Sequence, residues 1–336
     1  MRKTPRSGFA PEAARQPRRT LDSIVPAPPK VSVIIPAYGV APFIAETLAS
    51  VFAQTFRDFE VVLVNDGSPD TPALEAALGP FRERITYLSQ PNAGAGAARN
   101  AAIRAAGGEL LAFLDGDDVW LPEFLESQVA HLERNGLDMV YADATYIGDE
   151  AFDERTFMDR CPSAGEVTTE SLLASRANVI TSGTVARRDR VVEAGLFDPA
   201  ILRAQDYDMW VRLAKRGARI GYQRKVLLRY RVRGGSLSGD TFAQAERHVD
   251  VLSRLREKLG PELTTAERSA LERQLAESRA LADTETGKRL LARGDYRGAR
   301  RSFAEANRHY RRPKLFIVRM LLLIAPGLVR RVLLGR

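Results

Sequence analysis

Residues 31–38 read VSVIIPAY. Val31, Val33, Ile34 and Ile35 are β-branched, and Pro36 stops the run. A nearly unbroken apolar run of this kind reads as a parallel strand buried on both faces. Next, PFIAETLASVFAQ (42–54) has apolar residues at helical spacing, and FEVVLVNDGS (59–68) is a second buried strand ending in a polar turn. TPALEAALGPF (71–81) reads as a short helix, RITYLSQ (84–90) as a third strand and AGAARNAAIRAA (95–106) as an alanine-rich helix. GELLAFLDGDD (108–118) is a fourth strand, LPEFLESQVAHLERN (121–135) a helix, and LDMVYADATYI (137–147) a fifth strand. Unbroken alternation from 31 to about 148 predicts a doubly wound α/β sheet with helices on both faces. Ligands bind such sheets beyond the carboxyl ends of the strands. Three of those ends carry distinctive residues: Ala37-Tyr38, Asn65-Asp66-Gly67-Ser68 and Asp115-Gly116-Asp117-Asp118.

Residues 149–240 are less regular. RRDRVVEAGLFDP (187–199) suggests a helix ending at Gly195, and AQDYDMWVRLAKRG (204–217) a helix starting near Asp206 and closed by Gly217. RIGYQRKVLLRYRV (219–232) suggests one strand or a strand pair, and RGGSLSG (233–239) a flexible loop. Everything beyond 241 reads as helix. Within it, 287–307 resembles one tetratricopeptide-like helical pair without a second copy. The expected division is a disordered basic leader (1–30), an α/β domain (31–240), a helical extension (241–310) and a basic amphipathic C-terminal helix (311–336).

The chain has 336 residues and a net charge of +8. Residues 1–30 hold seven Lys/Arg and two acids, and 311–336 hold seven Lys/Arg and none, which leaves 31–310 at −4. The basic balance therefore belongs to the ends, and no nucleic-acid partner is expected. One cysteine, Cys161, excludes an internal disulfide and fits a reducing, cytoplasmic setting. The three histidines, His131, His248 and His309, are far apart and read as surface or packing residues. The start of the chain has no apolar signal-peptide core. In LFIVRMLLLIAPGLVRRVLLGR (315–336) the longest uncharged run is ten residues, against the roughly 20 of a membrane span. An amphipathic helix lying on an anionic membrane surface fits better, with docking on the protein itself as the rival.

FLDGDDVW (113–120) places three carboxylates at the end of a buried strand. Clustered carboxylates bind a divalent cation or share a proton. Asp115 and Asp117 flank one glycine, so the chain can bring both to one point. Mg²⁺ or Mn²⁺ held by few carboxylates completes its shell with substrate phosphates. Helix capping explains one aspartate easily and three poorly.

VSVIIPAY, VVLVNDGSPD, PNAGAGAARN, FLDGDDVW and AQDYDMW, in this order and spacing, resemble family 2 glycosyltransferases of the GT-A fold, a mostly parallel mixed sheet with helices on both faces. The likeness covers about residues 31–240. It implies transfer of a sugar, with inversion, from a nucleotide-diphosphate sugar, commonly a UDP-sugar, to a hydroxyl of a glycan or lipid-linked acceptor. By the resemblance, Pro36, Ala37 and Tyr38 bound the nucleotide base and Asp66 hydrogen-bonds it, although capping of its own turn is a rival role for Asp66. Gly94 and Gly96 allow close backbone approach, and Arg99 pairs with phosphate or positions the acids. Asp117 is the direct metal ligand, Asp115 lies nearer the ribose and Asp118 stands behind them. Asp206 matches the catalytic base, with Gln205 where glutamate is frequent. Asp208 is the rival base, turned by helical geometry toward solvent or a basic neighbour. Trp210 is a candidate acceptor platform and a candidate core residue. Arg231, Arg233 and Ser236 belong to a candidate lid near the acceptor. The Gln-x-x-Arg-Trp motif of processive relatives is absent, which favours single addition, on the cytoplasmic face, in cell-surface glycan synthesis. The alternatives are a sugar nucleotidyltransferase, which normally has a basic Gly-rich loop after its first strand, and a non-catalytic helical scaffold.

Overall fold

The computed structural model describes residues 28–148, 155–233, 241–310 and 313–334. The expected leader up to residue 27 and the glycine-rich loop with Ser236 lie outside them.

The eight strands are β1 (Val31–Ala37), β2 (Phe59–Asp66), β3 (Thr86–Gln90), β4 (Leu110–Phe113), β5 (Val119–Trp120), β6 (Met139–Gly148), β7 (Thr184–Arg187) and β8 (Ile220–Val232). They form one sheet in the order β3-β2-β1-β4-β7-β6-β8-β5. β1 lies between β2 and β4 and is parallel to both, and β3 is parallel to β2. Val31, Val33, Ile34 and Ile35 have no exposed surface, as a central strand covered on both faces requires. Beyond β4 the sheet turns mixed: β7 runs antiparallel to β4 and β6, and β8 runs parallel to β6. The 219–232 segment is thus one long strand. It pairs with β6 through a register shift at Asp143 and with β5 antiparallel.

The helices are α1 (Ile44–Phe52), α2 (Thr71–Leu78), α3 (Ala95–Ala105), α4 (Phe124–Arg134), α5 (Phe157–Arg160), α6 (Thr169–Leu173), α7 (Arg188–Glu193), α8 (Gln205–Lys215), α9 (Thr241–Leu259), α10 (Thr265–Ala292), α11 (Tyr296–Tyr310), α12 (Pro313–Ile324) and α13 (Pro326–Leu334). In α1 the buried Ile44, Leu48 and Val51 follow the 3.6-residue period that faces the sheet. On the opposite face one apolar core runs from Ile34, Val62 and Phe113 through Phe197 and Trp210 to Leu252 and Leu255 of α9 and Leu271 and Leu275 of α10. The core therefore continues across residue 240, and α9 and the first half of α10 pack as part of the α/β body. A separate cluster joins Leu291, Phe303, Val318, Leu322 and Val329. The C-terminal segment is two helices, because Pro326 lacks the N–H that one continuous helix would use there.

Candidate active site

The carboxyl ends of β1, β2 and β4 open on a cavity of about 760 Å³. Its lining includes Pro36, Ala37, Tyr38, Asp66, Arg99, Asp115, Asp117, Gln205 and Asp206. Sequence segments ninety residues apart thus meet in one crevice.

The β1 end supplies an aromatic surface: Tyr38 is half exposed, 52%, at the cavity. Asp66, at the end of β2, is almost fully buried, and it does not cap its own turn. Oδ1 accepts from Gln90 Nε2 (2.7 Å) and the Ala93 N–H (3.0 Å), and Oδ2 accepts from the Gly94 N–H (2.8 Å). The cap of the NDGS turn is instead Asn65, whose Oδ1 accepts from the Ser68 N–H at 2.9 Å. Asp66 therefore ties down the loop that enters α3. Two carboxylate oxygens offer about four acceptor positions, so one remains for a ligand donor. Gly67 makes this possible: at φ +63° it lies so close to Asn92 that a Cβ would stand 2.5 Å from the Asn92 backbone nitrogen. Gly94 does not line the cavity. Its amide goes to Asp66, and the next residue, Ala95, is the one at the wall.

Arg99, on α3, is 3% exposed. Its Nη2 donates to Asp115 Oδ1 at 2.5 Å, while Nε and Nη1 are buried without a partner. A guanidinium with two free donors beside a carboxylate is suited to a second anion entering the cavity. Asp117 Oδ2 pairs with Arg233 Nη2 at 2.8 Å. Burial pushes the Asp117 carboxyl above its ordinary range, the charge of Asp115 adds to that, and Arg233 opposes without cancelling it. Asp118 is fully buried. It accepts from Ser182 Oγ (2.5 Å) and the Arg231 N–H (2.8 Å), and burial, then Asp117 and Asp115, push it well up. The whole loop is pressed against β1 and α1: a Cβ on Gly116 would stand 3.0 Å from Val40 Cγ2, and Thr47 Oγ1 donates to the Gly116 carbonyl.

Crowded carboxylates at a cavity wall favour a bound cation, which relieves their mutual repulsion. Among the described residues no three His, Cys, Asp or Glu side chains form a ready-made metal cage. Asp115 and Asp117 fit the other arrangement, in which one or two carboxylates share Mg²⁺ or Mn²⁺ with substrate phosphates.

Asp206 sits in the first turn of α8, reached through Ala204, which adopts the left-handed φ of +58°. A non-glycine residue there costs about 1 kcal/mol or more, a strain found at functional sites. Asp206 Oδ2 accepts from Thr181 Oγ1 at 2.6 Å, and Oδ1 accepts from the Tyr207 N–H at 2.9 Å. Asp208 is fully buried and bonded to Arg212 at 2.7 Å, so it meets the basic neighbour and not solvent.

Two candidates lie away from the cavity, Trp210 taking the core role of its two readings. Trp210 is 1% exposed, packed edge-on against Phe113 and Phe197, and does not line the cavity, because α8 points that side at the sheet. Arg231 does not line it either. Its Nε donates to the Asp117 carbonyl and its Nη2 pairs with Glu46, so it braces the acidic loop from behind. His248 is also more than a packing residue: it stacks near Tyr207 and lines the cavity. Burial lowers its pKa, and Asp206 opposes that.

Sequence reasoning missed Thr181 and Ser182. Thr181 holds Asp206, while Ser182 holds Asp118 and accepts from the Asp115 N–H at 3.1 Å. Adjacent hydroxyls thus couple the acidic loop to the α8 carboxylate, and nothing in "ITSG" signals it. The wall formed by α9, α10 and the end of α11, with Arg247, Gln274, Glu277, Ser278 and Tyr310, was missed too.

A family model described as glycosyl transferase family 2 matches residues 32–190. An uncharacterized glycosyltransferase of Rickettsia prowazekii is 29% identical over 242 residues, 70% of this chain and 74% of that protein. In three other Rickettsia glycosyltransferases the match spans only 30 to 34% of their length. The succinoglycan biosynthesis protein ExoW of Rhizobium meliloti is 42% identical over 128 residues, 37% of this chain and 40% of ExoW. Among solved structures, TarS of S. aureus in complex with UDP has a TM-score of 0.54 at 19% identity, over 84% of this chain and 89% of that one. The mannosyltransferase PcManGT from Pyrobaculum calidifontis, in complex with GDP-Man and Mn²⁺, has a TM-score of 0.59 at 19% identity, over 90% and 87%. At that identity the likeness speaks for the fold alone, which is GT-A. The glycosyl transferase family 2 match takes in the β1, β2 and acidic-loop motifs that meet in the crevice, and with glycosyltransferases among its curated relatives the chain is a glycosyltransferase whose residues 32–190 resemble family 2.

Proposed function

We propose that this glycosyltransferase moves a sugar, with inversion, from a nucleotide-diphosphate sugar, commonly a UDP-sugar, to a hydroxyl of a growing cell-surface glycan or lipid-linked acceptor. One observation carries the reading: an aromatic surface, a buried arginine with free donors, two facing carboxylates and a separate aspartate line a single cavity. Tyr38 would cover the nucleotide base, and the remaining acceptor position of Asp66 would take its imide N–H. Arg99, whose Nε and Nη1 have no partner, would place its positive charge beside the diphosphate. Asp117 and Asp115 would hold Mg²⁺ or Mn²⁺, whose charge would offset that of the diphosphate leaving group. Asp206 would take the proton from the acceptor hydroxyl, with Thr181 and the Tyr207 N–H fixing its orientation. The complexes of TarS with UDP and of PcManGT with GDP-Man and Mn²⁺ support this choice of donor class and metal.

A thermal-shift screen of nucleoside diphosphates and nucleotide sugars, with and without Mg²⁺ or Mn²⁺, tests it. At a hundredfold excess over Kd a true ligand stabilises by about 2.7 kcal/mol. The expected outcome is a rise in Tm with one nucleotide, larger with the cation. No rise with any nucleotide would count against the donor reading.

We place the protein in the cytoplasm against an anionic membrane face. In this reading 31–240 is the transfer domain, 241–310 its helical extension and 311–336 the membrane-facing part. The support is a composite surface on α12 and α13. Phe316, Ile317, Met320, Leu323, Ile324, Leu328 and Val332 are all about half exposed or more, while Val318, Leu322 and Val329 dock inward. Residues 311–336 carry seven basic side chains and no acid. No helix among the described residues is long and apolar enough to cross a membrane. Flotation with vesicles containing anionic lipid should carry the full chain upward, and Ile324→Glu with Val332→Glu should abolish it. Equal flotation of that variant would remove the membrane role.

A further inference from the structure

The cavity has two chemically different walls. On the side of the strand ends and α8 the carboxylates are already engaged: Asp66 by the α3 loop, Asp115 by Arg99, Asp117 by Arg233, Asp206 by Thr181. On the helical wall the opposite holds. Gln274, Glu277 and Ser278 of α10 line the cavity, and their side chains have no hydrogen-bond partner among the described residues. Positions 274, 277 and 278 lie at i, i+3 and i+4, so they share one helix face. Ser278 is only 4% exposed, and its hydroxyl has no partner among the described residues. His248 of α9, also without a hydrogen bond among the described residues, stands at the same cavity as Asp206. Glu277 is exposed, but Gln274 and His248 are half-buried and Ser278 is buried, and polar groups so placed are costly unless a ligand or ordered water completes them.

We infer that this α10 face, with His248, is the acceptor subsite, and that its ligand is a neutral, hydroxyl-rich sugar. Amide, hydroxyl and imidazole groups offer both donors and acceptors, as a set of sugar hydroxyls requires. Glu277 adds an acceptor, and with Arg203 and Arg247 lining the same cavity the wall carries both signs of charge, which suits a neutral ligand. The arrangement would lay a terminal sugar between α10 and Asp206, with one hydroxyl aimed at the carboxylate and the donor across the cavity. Acceptor choice would then be written in residues 248–278, outside the stretch matched by the family model. This rests on the donor reading above.

The test uses the full chain saturated with Mg²⁺ and the nucleoside diphosphate that gives the largest thermal shift. Methyl glycosides of glucose, galactose, mannose and N-acetylglucosamine are the probes, and saturation-transfer NMR reads their binding. At least one should bind. Gln274→Ala and Ser278→Ala should each weaken it roughly three- to tenfold, the effect of one lost hydrogen bond, and the double variant more. Both changes introduce the best helix former, so α10 is retained, and Tm and the nucleotide-induced shift should stay as in the wild type. No glycoside binding by the nucleotide-loaded wild type, or equal binding by the double variant, overturns the inference while leaving the donor reading intact. Failure of every nucleoside diphosphate to bind overturns the donor reading and this inference with it.

Discussion

Asp206→Asn should lower sugar transfer by roughly 10²- to 10⁴-fold, the usual contribution of a positioned general base, or about 3–5 kcal/mol in the barrier. Donor binding should be unchanged. The substitution conserves shape. The remaining amide oxygen can still accept the Tyr207 N–H, and the Thr181 hydroxyl, which now donates at 2.6 Å, can rotate and accept from the amide. The start of α8 therefore keeps its geometry, and what disappears is the capacity to take a proton from the acceptor. Loss confined to kcat is the signature of an interaction made in the transition state. Asp208 cannot take over, because it is fully buried and paired with Arg212. A pre-steady-state assay with a nucleotide sugar and an acceptor glycoside checks this, and wild-type turnover in the variant would remove the assignment.

The second large effect concerns the cation. Asp117→Ala should abolish the part of nucleotide binding that depends on Mg²⁺ or Mn²⁺. Asp115 then stands alone, and its one oxygen that is near Arg99 is already engaged at 2.5 Å. The variant also frees Arg233 from its ion pair, which could strengthen cation-independent binding of the anionic diphosphate. The diagnostic quantity is thus the difference between Tm shifts measured with and without the cation, not the shift alone. That difference should fall to zero in Asp117→Ala and persist in the wild type. An undiminished difference would show that Asp117 holds no metal.

The parts of the fold that were legible in the sequence share a physical cause. β1, β2 and β4 are covered on both faces, so their residues form continuous β-branched or leucine-rich runs, and α1 has one buried stripe. β5 and β7 were not legible, since two and four residues are too short for any period to emerge. The acidic loop could be read because three carboxylates and a glycine at a strand end have few structural explanations. That Asp66 also ties down the loop entering α3 was not legible, because its partners at Gln90, Ala93 and Gly94 lie more than twenty residues away. Arg231 was misplaced, and Trp210 was left between core and acceptor platform, because sequence motifs give proximity along the chain, not which side of α8 or β8 faces the cavity. The Thr181–Ser182 pair and the α10 face were invisible for a related reason. A polar stripe on a helix looks like an ordinary solvated face until tertiary packing closes a cavity over it.

The central claim is that donor binding and proton removal are carried out by separate groups in one crevice. Its most direct test is calorimetric titration of wild-type protein and Asp206→Asn with the same nucleotide sugar and Mg²⁺, paired with a transfer assay on the same samples. The expected result is equal affinity, with transfer by the variant reduced at least a hundredfold. Equal transfer, or donor affinity that disappears together with the Asp206 carboxylate, would contradict it.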